Sequence, residues 1–295
     1  MINSIKSILD ELDYKLNDED RHLAEIFNEN GYCIIPKSDL ISDNIEKFRG
    51  IIDSLLKKES WRGGWEGKEE YIKYKKQFQI GANRLGNLFD KHEIFLKLLT
   101  EENILKISYC ILGDDIKIGA LDMREPLKGK GFQDFHMDWP PKKTENGKTE
   151  NIIAAIYLND SKKDTGAFRI VPKTHRKTGW VQEHLDDPSS HPDEIIVEVK
   201  ESTIILFDAN LWHSGTTNNN GNRRRVLYLD LRRREIPQLL NQRIYLNEET
   251  QESLSDIEKF LLGVRDNDTS FEDKVFTAGN VYRKQFKTDK FTKNY

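Results

Sequence analysis

His136 and Asp138 stand two apart in the stretch QDFHMDWP, Gln133 to Pro140, and a second histidine of interest, His213, sits much later in ANLWHSGTTNNNGN. An extended chain points alternate residues to one side, so a His-x-Asp pair can offer an imidazole and a carboxylate to one ion. A third ligand must then come from a neighbouring strand, which explains the long gap to His213. Two imidazoles and one carboxylate on one face of a metal leave the opposite face open. That arrangement suits non-haem Fe(II), where oxygen and a co-substrate bind side by side. His-x-Asp arises easily by chance among seven histidines, and a solvated surface histidine is the ordinary alternative. Context strengthens the metal reading. His213 follows the apolar run TIILFD, and Arg223, Arg224 and Arg225 come about ten residues after it. An arginine held inside the fold there could grip a carboxylate through two parallel hydrogen bonds. The alternative for that cluster is a solvated basic turn.

The elements that must carry these residues read as short strands. IKIGALDM (Ile116–Met123), NIIAAIYL (Asn151–Leu158), AFRIVP (Ala167–Pro172), EIIVEV (Glu194–Val199), TIILFD (Thr203–Asp208) and RVLYLDL (Arg225–Leu231) are β-branched. Turn-formers such as NDSKKDTG, PKTH and NNNGN bound them. Many short strands at close spacing point to a sandwich or barrel rather than βαβ units. His213 is expected at the end of the Thr203–Asp208 strand. In front lies a short strand, GYCIIP (Gly31–Pro36). A helix then spans Leu40 to Lys58, with Ile45, Phe48, Ile51, Ile52, Leu55 and Leu56 on one stripe and Ser42 or Asp43 as N-cap. A second helix is expected from about His92 to Ile111. WRGGWEGKEEYIKY (Trp61–Tyr74) has the composition of a mobile lid, with a surface loop as the alternative. From Glu235 onward the pattern is mixed and charged, with a helix over Glu249 to Leu262 and a basic, aromatic tail. The expected organisation is a single domain: a helical part with one strand over 1–114, a β-core over 115–234 and an elaboration over 235–295.

The bulk numbers narrow the function. The chain has 295 residues, 37% hydrophobic and 33% charged, with net charge -4. It can bury a core, and nothing in that balance suggests a nucleic-acid or membrane partner. Two cysteines, Cys33 and Cys110, do not make a disulfide framework. The acidic, amphipathic start MINSIKSILDELDYKL lacks the apolar core of a signal peptide, and no apolar run approaches the roughly 18 residues needed to span a bilayer. A cytoplasmic protein is expected.

These residues together resemble a known family. QDFHMDW resembles the Gln-x-x-His-x-Asp-Trp segment of the phytanoyl-CoA dioxygenase family of Fe(II)/2-oxoglutarate-dependent oxygenases. TGAFRIVPKTHR (Thr165–Arg176) and DANLWHSGTTNNNGNRRRVLYLDL are similar to two further segments of that family, in the same order, and FNENGYCIIP is similar to its opening strand. The resemblance runs from about Ile26 to Arg234. Lys173 and Thr174 depart from the usual Gly-Ser, and Ser214-Gly215 reverses the usual order after the distal histidine. The resemblance implies a double-stranded β-helix, a cupin-like jelly roll, with His136, Asp138 and His213 holding iron. It implies that Arg224 anchors 2-oxoglutarate, with Gln133 and Thr216 also at the co-substrate and Ser214 as the other candidate hydroxyl. His175 matches a position that approaches the site, with a turn-stabilising role as the alternative. The implied reaction consumes O2 and 2-oxoglutarate, gives succinate and CO2, and hydroxylates an unactivated C–H bond of a small molecule, with ascorbate supportive. Asp138 fills the position that halogenating relatives leave small. A cupin-like binding or structural protein, and an oxygenase acting on a protein, are the competing readings. A monomer or homodimer without nucleic-acid or membrane partners is expected.

Overall fold

The computed structural model describes residues 2–59, 81–145, 147–238 and 240–265. The stretch Trp61–Tyr74 and the basic tail lie outside the described residues. Helix α1 (Ile5–Glu11) starts at a Ser4/Ser7 capping box. Helix α2 (Asp18–Asn30) starts at Asn17 and ends at Gly31 (φ +86°), a left-handed position where a Cβ would also collide with His175 and Leu211. The chain then forms β1 (Tyr32–Ile35) and α3 (Asp39–Glu59). The N-cap of α3 is Ser38, whose Oγ accepts from the Ile41 N–H at 3.3 Å, so the helix begins before the expected Ser42 or Asp43.

Strand β2 (Ala82–Leu85) follows. The helix expected from His92 to Ile111 is two elements, a 3-10 segment Glu93–Thr100 and α4 (Glu102–Leu112). They break at Glu101, which is extended (φ -61°, ψ 121°) and caps α4 by accepting from the Ile104 N–H at 2.7 Å. The remaining strands are β3 (Ile116–Pro126), β4 (Asn151–Tyr157), β5 (Phe168–Val171), β6 (Ile195–Val197), β7 (Ile204–Asp208), β8 (Trp212–Gly215) and β9 (Val226–Arg233). Helices α5 (Gln242–Tyr245), α6 (Glu248–Ser253) and α7 (Asp256–Leu261) close the described chain. The single helix expected over Glu249–Leu262 is split because Leu254 is extended and Ser255 starts a new capping box with Glu258.

The strands form two antiparallel sheets that make a cupin-like jelly roll, ordered β1-β7-β4-β9-β3-β2 and β6-β5-β8. Among the described residues two strands, β1 and β2, precede residue 115, where one was expected, and they occupy the two edges of the larger sheet. That sheet is buried on both faces, so its strands read as continuous apolar runs. Strand alternation still sorts them. Ile152, Ala154 and Ile156 of β4 and Leu227, Leu229 and Leu231 of β9 pack with the helices. Ile153, Ala155 and Tyr157 of β4, with Val226 of β9, face the smaller sheet, and there the site lies. A β-bulge at Gly119 interrupts β3, and a Cβ there would run into Asp230 and Arg232 of β9.

Candidate metal centre

The site grows from one backbone pairing. His136 and His213 exchange two N–H to carbonyl bonds, each 3.0 Å, as an isolated antiparallel bridge. The pairing sets their rings side by side, with centroids 4.4 Å apart. His213 does not end β7. A turn over Ala209–Leu211, closed by the Leu211 N–H on the Asp208 carbonyl at 2.8 Å, carries the chain across to the other sheet, and His213 sits in β8. Asp138 follows where the chain bends, its N–H bonded to the Ala209 carbonyl at 2.8 Å. Upstream, Arg169 of β5 stacks on Phe132 and Phe135 and donates to the Gln133 carbonyl at 3.0 Å.

One ligand atom from each of His136, Asp138 and His213 lies within 4.8 Å of the others. Asp138 Oδ1 is 3.8 Å from His136 Nε2, and Oδ2 is 3.3 Å from His213 Nε2. Each histidine has its Nδ1 on a backbone carbonyl, Asp134 at 2.8 Å for His136 and Leu211 at 2.9 Å for His213. With Nδ1 donating there, the neutral ring presents its Nε2 lone pair to the Asp138 side, as a metal ligand must. The three groups divide their charge. Desolvation, reinforced by His213, pushes the His136 imidazole down to about 4. Burial would raise Asp138, but the charge and hydrogen bond of His213 hold it well below the usual carboxylate range. Burial would lower His213, and Asp138 outweighs it and raises it.

The triad opens on a cavity of about 240 Å³ whose wall includes Arg224, Gln133 and Ser214. Arg224 is buried. Its Nη2 donates to the Gly166 carbonyl, while Nε and Nη1 have no hydrogen-bond partner among the described residues. Its neighbours point away. Arg223 pairs with Asp53 at 2.7 Å and Glu125 at 2.6 Å, and Arg225 donates to the Arg49 carbonyl at 3.1 Å. Ser214 Oγ is also buried without a partner among the described residues. Thr216 stands elsewhere: past the end of β8, its hydroxyl donates to the Lys163 carbonyl at 2.8 Å and it forms no part of the cavity wall. His175 is likewise outside the wall, with Nε2 at 3.3 Å from the Asn28 carbonyl, as a turn-stabilising residue would be.

Sequence reasoning missed part of the wall: Arg84, Asp122 and Arg124 from β2 and β3, and Tyr228 and Asp230 from β9. The signal for Asp230 was present, a carboxylate alternating with leucines in VLYLDL. Its Oδ1 accepts from Arg232 Nε at 2.6 Å and its Oδ2 from Asn151 at 3.1 Å.

A jelly roll with a two-histidine, one-carboxylate set and a buried arginine in one cavity defines the class of Fe/2-oxoglutarate-dependent oxygenases. The family model for phytanoyl-CoA dioxygenase (PhyH) matches residues 27–226, and the chain belongs to that family of oxygenases. Solved structures share the fold. HygX from Streptomyces hygroscopicus with nickel and 2-oxoglutarate bound is 15% identical, TM-score 0.54, over 74% of this chain and 87% of that one. The alpha-ketoglutarate-dependent carbocyclase SnoK from nogalamycin biosynthesis is 16% identical, TM-score 0.56, over 79% and 87%. AviO1 from Streptomyces viridochromogenes Tue57 is 16% identical, TM-score 0.55, over 74% and 96%. No curated protein sequence matches the chain. Among the described residues no helix is long and apolar enough to cross a membrane.

Proposed function

We propose that this chain hydroxylates an unactivated C–H bond of a small-molecule metabolite, using Fe(II), O2 and 2-oxoglutarate and releasing succinate and CO2. The observation that carries the reading is Arg224, a buried guanidinium whose Nε and Nη1 are unpartnered among the described residues, on the cavity that holds the His/Asp/His set. Leaving such a group unpaired costs stability, and an inert cupin-like barrel has no need of it. The fork fits the far carboxylate of a short dicarboxylic acid whose other end reaches the metal. The unpartnered Ser214 hydroxyl supports a second contact to the same ligand. His136, Asp138 and His213 would hold the iron, which supplies oxygen activation coupled to oxidative decarboxylation of the co-substrate.

The chain's own residues do the rest. The Asp134 and Leu211 carbonyls keep both imidazoles in the ligating tautomer. Arg224 fixes the co-substrate's orientation, Gln133 adds a polar contact, and Phe168 and Ile153 line the cavity with surface that excludes water. Asp138 occupies the position that a halide would need, which favours hydroxylation. The hygromycin B bound in one HygX structure supports a small-molecule substrate over a protein. Ascorbate supports turnover, and the enzyme works in the cytoplasm as a monomer or homodimer. The test is incubation with Fe(II), 2-oxoglutarate, ascorbate and a fractionated metabolite pool, followed by mass spectrometry. The expected result is succinate and a product heavier by one oxygen atom. If folded, iron-loaded protein leaves 2-oxoglutarate unconsumed, the inert barrel takes over.

A further inference from the structure

The carboxylate ligand is the least supported of the three. His136 and His213 brace each other through a backbone bridge, but Asp138 lies on an irregular stretch between β3 and β4 with no strand partner of its own. What holds that stretch is the turn leading into β8. The Ala209 carbonyl accepts from the N–H groups of Asp138 and Trp139 at 2.8 and 3.2 Å. The Asn210 side-chain amide then donates to the next two carbonyls, Trp139 at 3.1 Å and Pro140 at 2.8 Å. Asn210 is itself fixed, its N–H on Asp208 Oδ1 at 2.9 Å. The other oxygen of the fully buried Asp208 accepts from Lys142 at 2.9 Å and Thr149 at 2.8 Å, both on the same stretch. Leu211, next in the turn, supplies the carbonyl that holds His213 Nδ1.

We propose that Asn210 is a positioning residue of the metal centre: its amide ties the Asp138-bearing stretch to the turn that also sets His213, so that carboxylate and imidazole keep one spacing. The proposal rests on the metal reading given above. Asn210 is buried and is absent from the cavity wall, so it acts through Asp138 and touches neither metal nor substrate. Only an amide NH2 of this length meets both carbonyls. Aspartate has the same shape but would set a carboxylate oxygen against two carbonyl oxygens, and alanine would leave both carbonyls without that donor.

The test measures the affinity of the metal-free protein for Co(II) alone, together with thermal midpoints with and without it. Wild type is compared with Asn210→Ala and Asn210→Asp. Support is a dissociation constant raised by about ten- to a hundredfold, the usual cost of losing an outer-shell partner, with a smaller metal-induced gain in midpoint. A purely structural role would lower the midpoints with and without metal equally and leave the dissociation constant at the wild-type value, which overturns the proposal. If neither variant folds, Lys142→Met, which frees the same stretch from Asp208, decides the matter: weaker Co(II) binding supports the brace and unchanged binding overturns it. If wild type itself binds no Co(II), the metal reading fails and this inference falls with it. Wild-type binding with unaffected variants overturns this inference alone.

Discussion

Arg224 was singled out within RRR by the family resemblance, with strand alternation serving only to separate its face from that of Arg223 and Arg225; here those two are engaged with Asp53, Glu125 and Arg49, while Arg224 keeps Nε and Nη1 without a partner among the described residues. A charge-assisted pair with a carboxylate is worth roughly 1.5–3 kcal/mol. Arg224→Ala should therefore weaken 2-oxoglutarate binding by at least about tenfold with metal content unchanged, whereas Arg223→Ala should leave that binding near wild type. Isothermal titration of the metal-loaded protein distinguishes these outcomes. Thr216 shows the limit of that reading, because the hydroxyl is spent on a carbonyl that only the folded loop brings near. The triad also carries a pH signature. The raised His213 must lose its proton before Nε2 can ligate, while His136, pushed down to about 4, is already neutral. Metal affinity should rise with pH until His213 is deprotonated and then level off. A Co(II) titration series in which affinity does not rise with pH above the ordinary imidazole range would contradict the ion pair.

Among the elements, the apolar strands were readable, short ones such as β1, β5 and β6 included, and the strands poor in apolar residues were not. TIILFD and NIIAAIYL declare themselves by β-branched runs, whereas ANRL (β2) and WHSG (β8) contain too few apolar residues to show a period. The split of the 92–112 segment depends on Glu101 choosing to cap rather than continue the helix. The bulge in β3 exists for its neighbours. Gly119→Ala should force a side chain into the Asp230–Arg232 pair and cost about 2 kcal/mol, read as a lower urea midpoint. His175 couples the α2 terminus to acid stability. Burial pushes it down to about 4 from an ordinary 6.5. The unfolded chain therefore takes up its proton first, and stability is complete above about pH 6.5 and lost as pH falls toward 4, by up to about 3 kcal/mol. Urea midpoints over that window should slope less for His175→Gln than for wild type.

Across the whole molecule, the described part of the segment after Glu235, up to Arg265, proves to be part of the fold's support. Ile257, Phe260, Leu261 and Leu262 join the core between the helices and the larger sheet. Gln238 and Gln242 donate to the Ile118 and Gly119 carbonyls at 2.7 and 3.3 Å, beside the bulge. Composition alone did not reveal this, because the segment's surface is charged and only three-dimensional packing identifies its inner side. Phe260→Ala should cost about 3–5 kcal/mol and lower the thermal midpoint of the entire β-core, followed by near-ultraviolet circular dichroism. Strand spacing pointed to a sandwich or barrel and the family resemblance to the jelly roll itself, and the separation of His136 from His213 makes sense only in it, where strands distant in sequence become neighbours. Succinate formation shows whether these residues form a working iron and 2-oxoglutarate site. Purified wild type and His213→Ala are each supplied with Fe(II), 2-oxoglutarate and air, with circular dichroism confirming that both are folded. Succinate accumulating with wild type and not with His213→Ala is the predicted result. Equal succinate from both, or none from folded, iron-loaded wild type, would contradict the account.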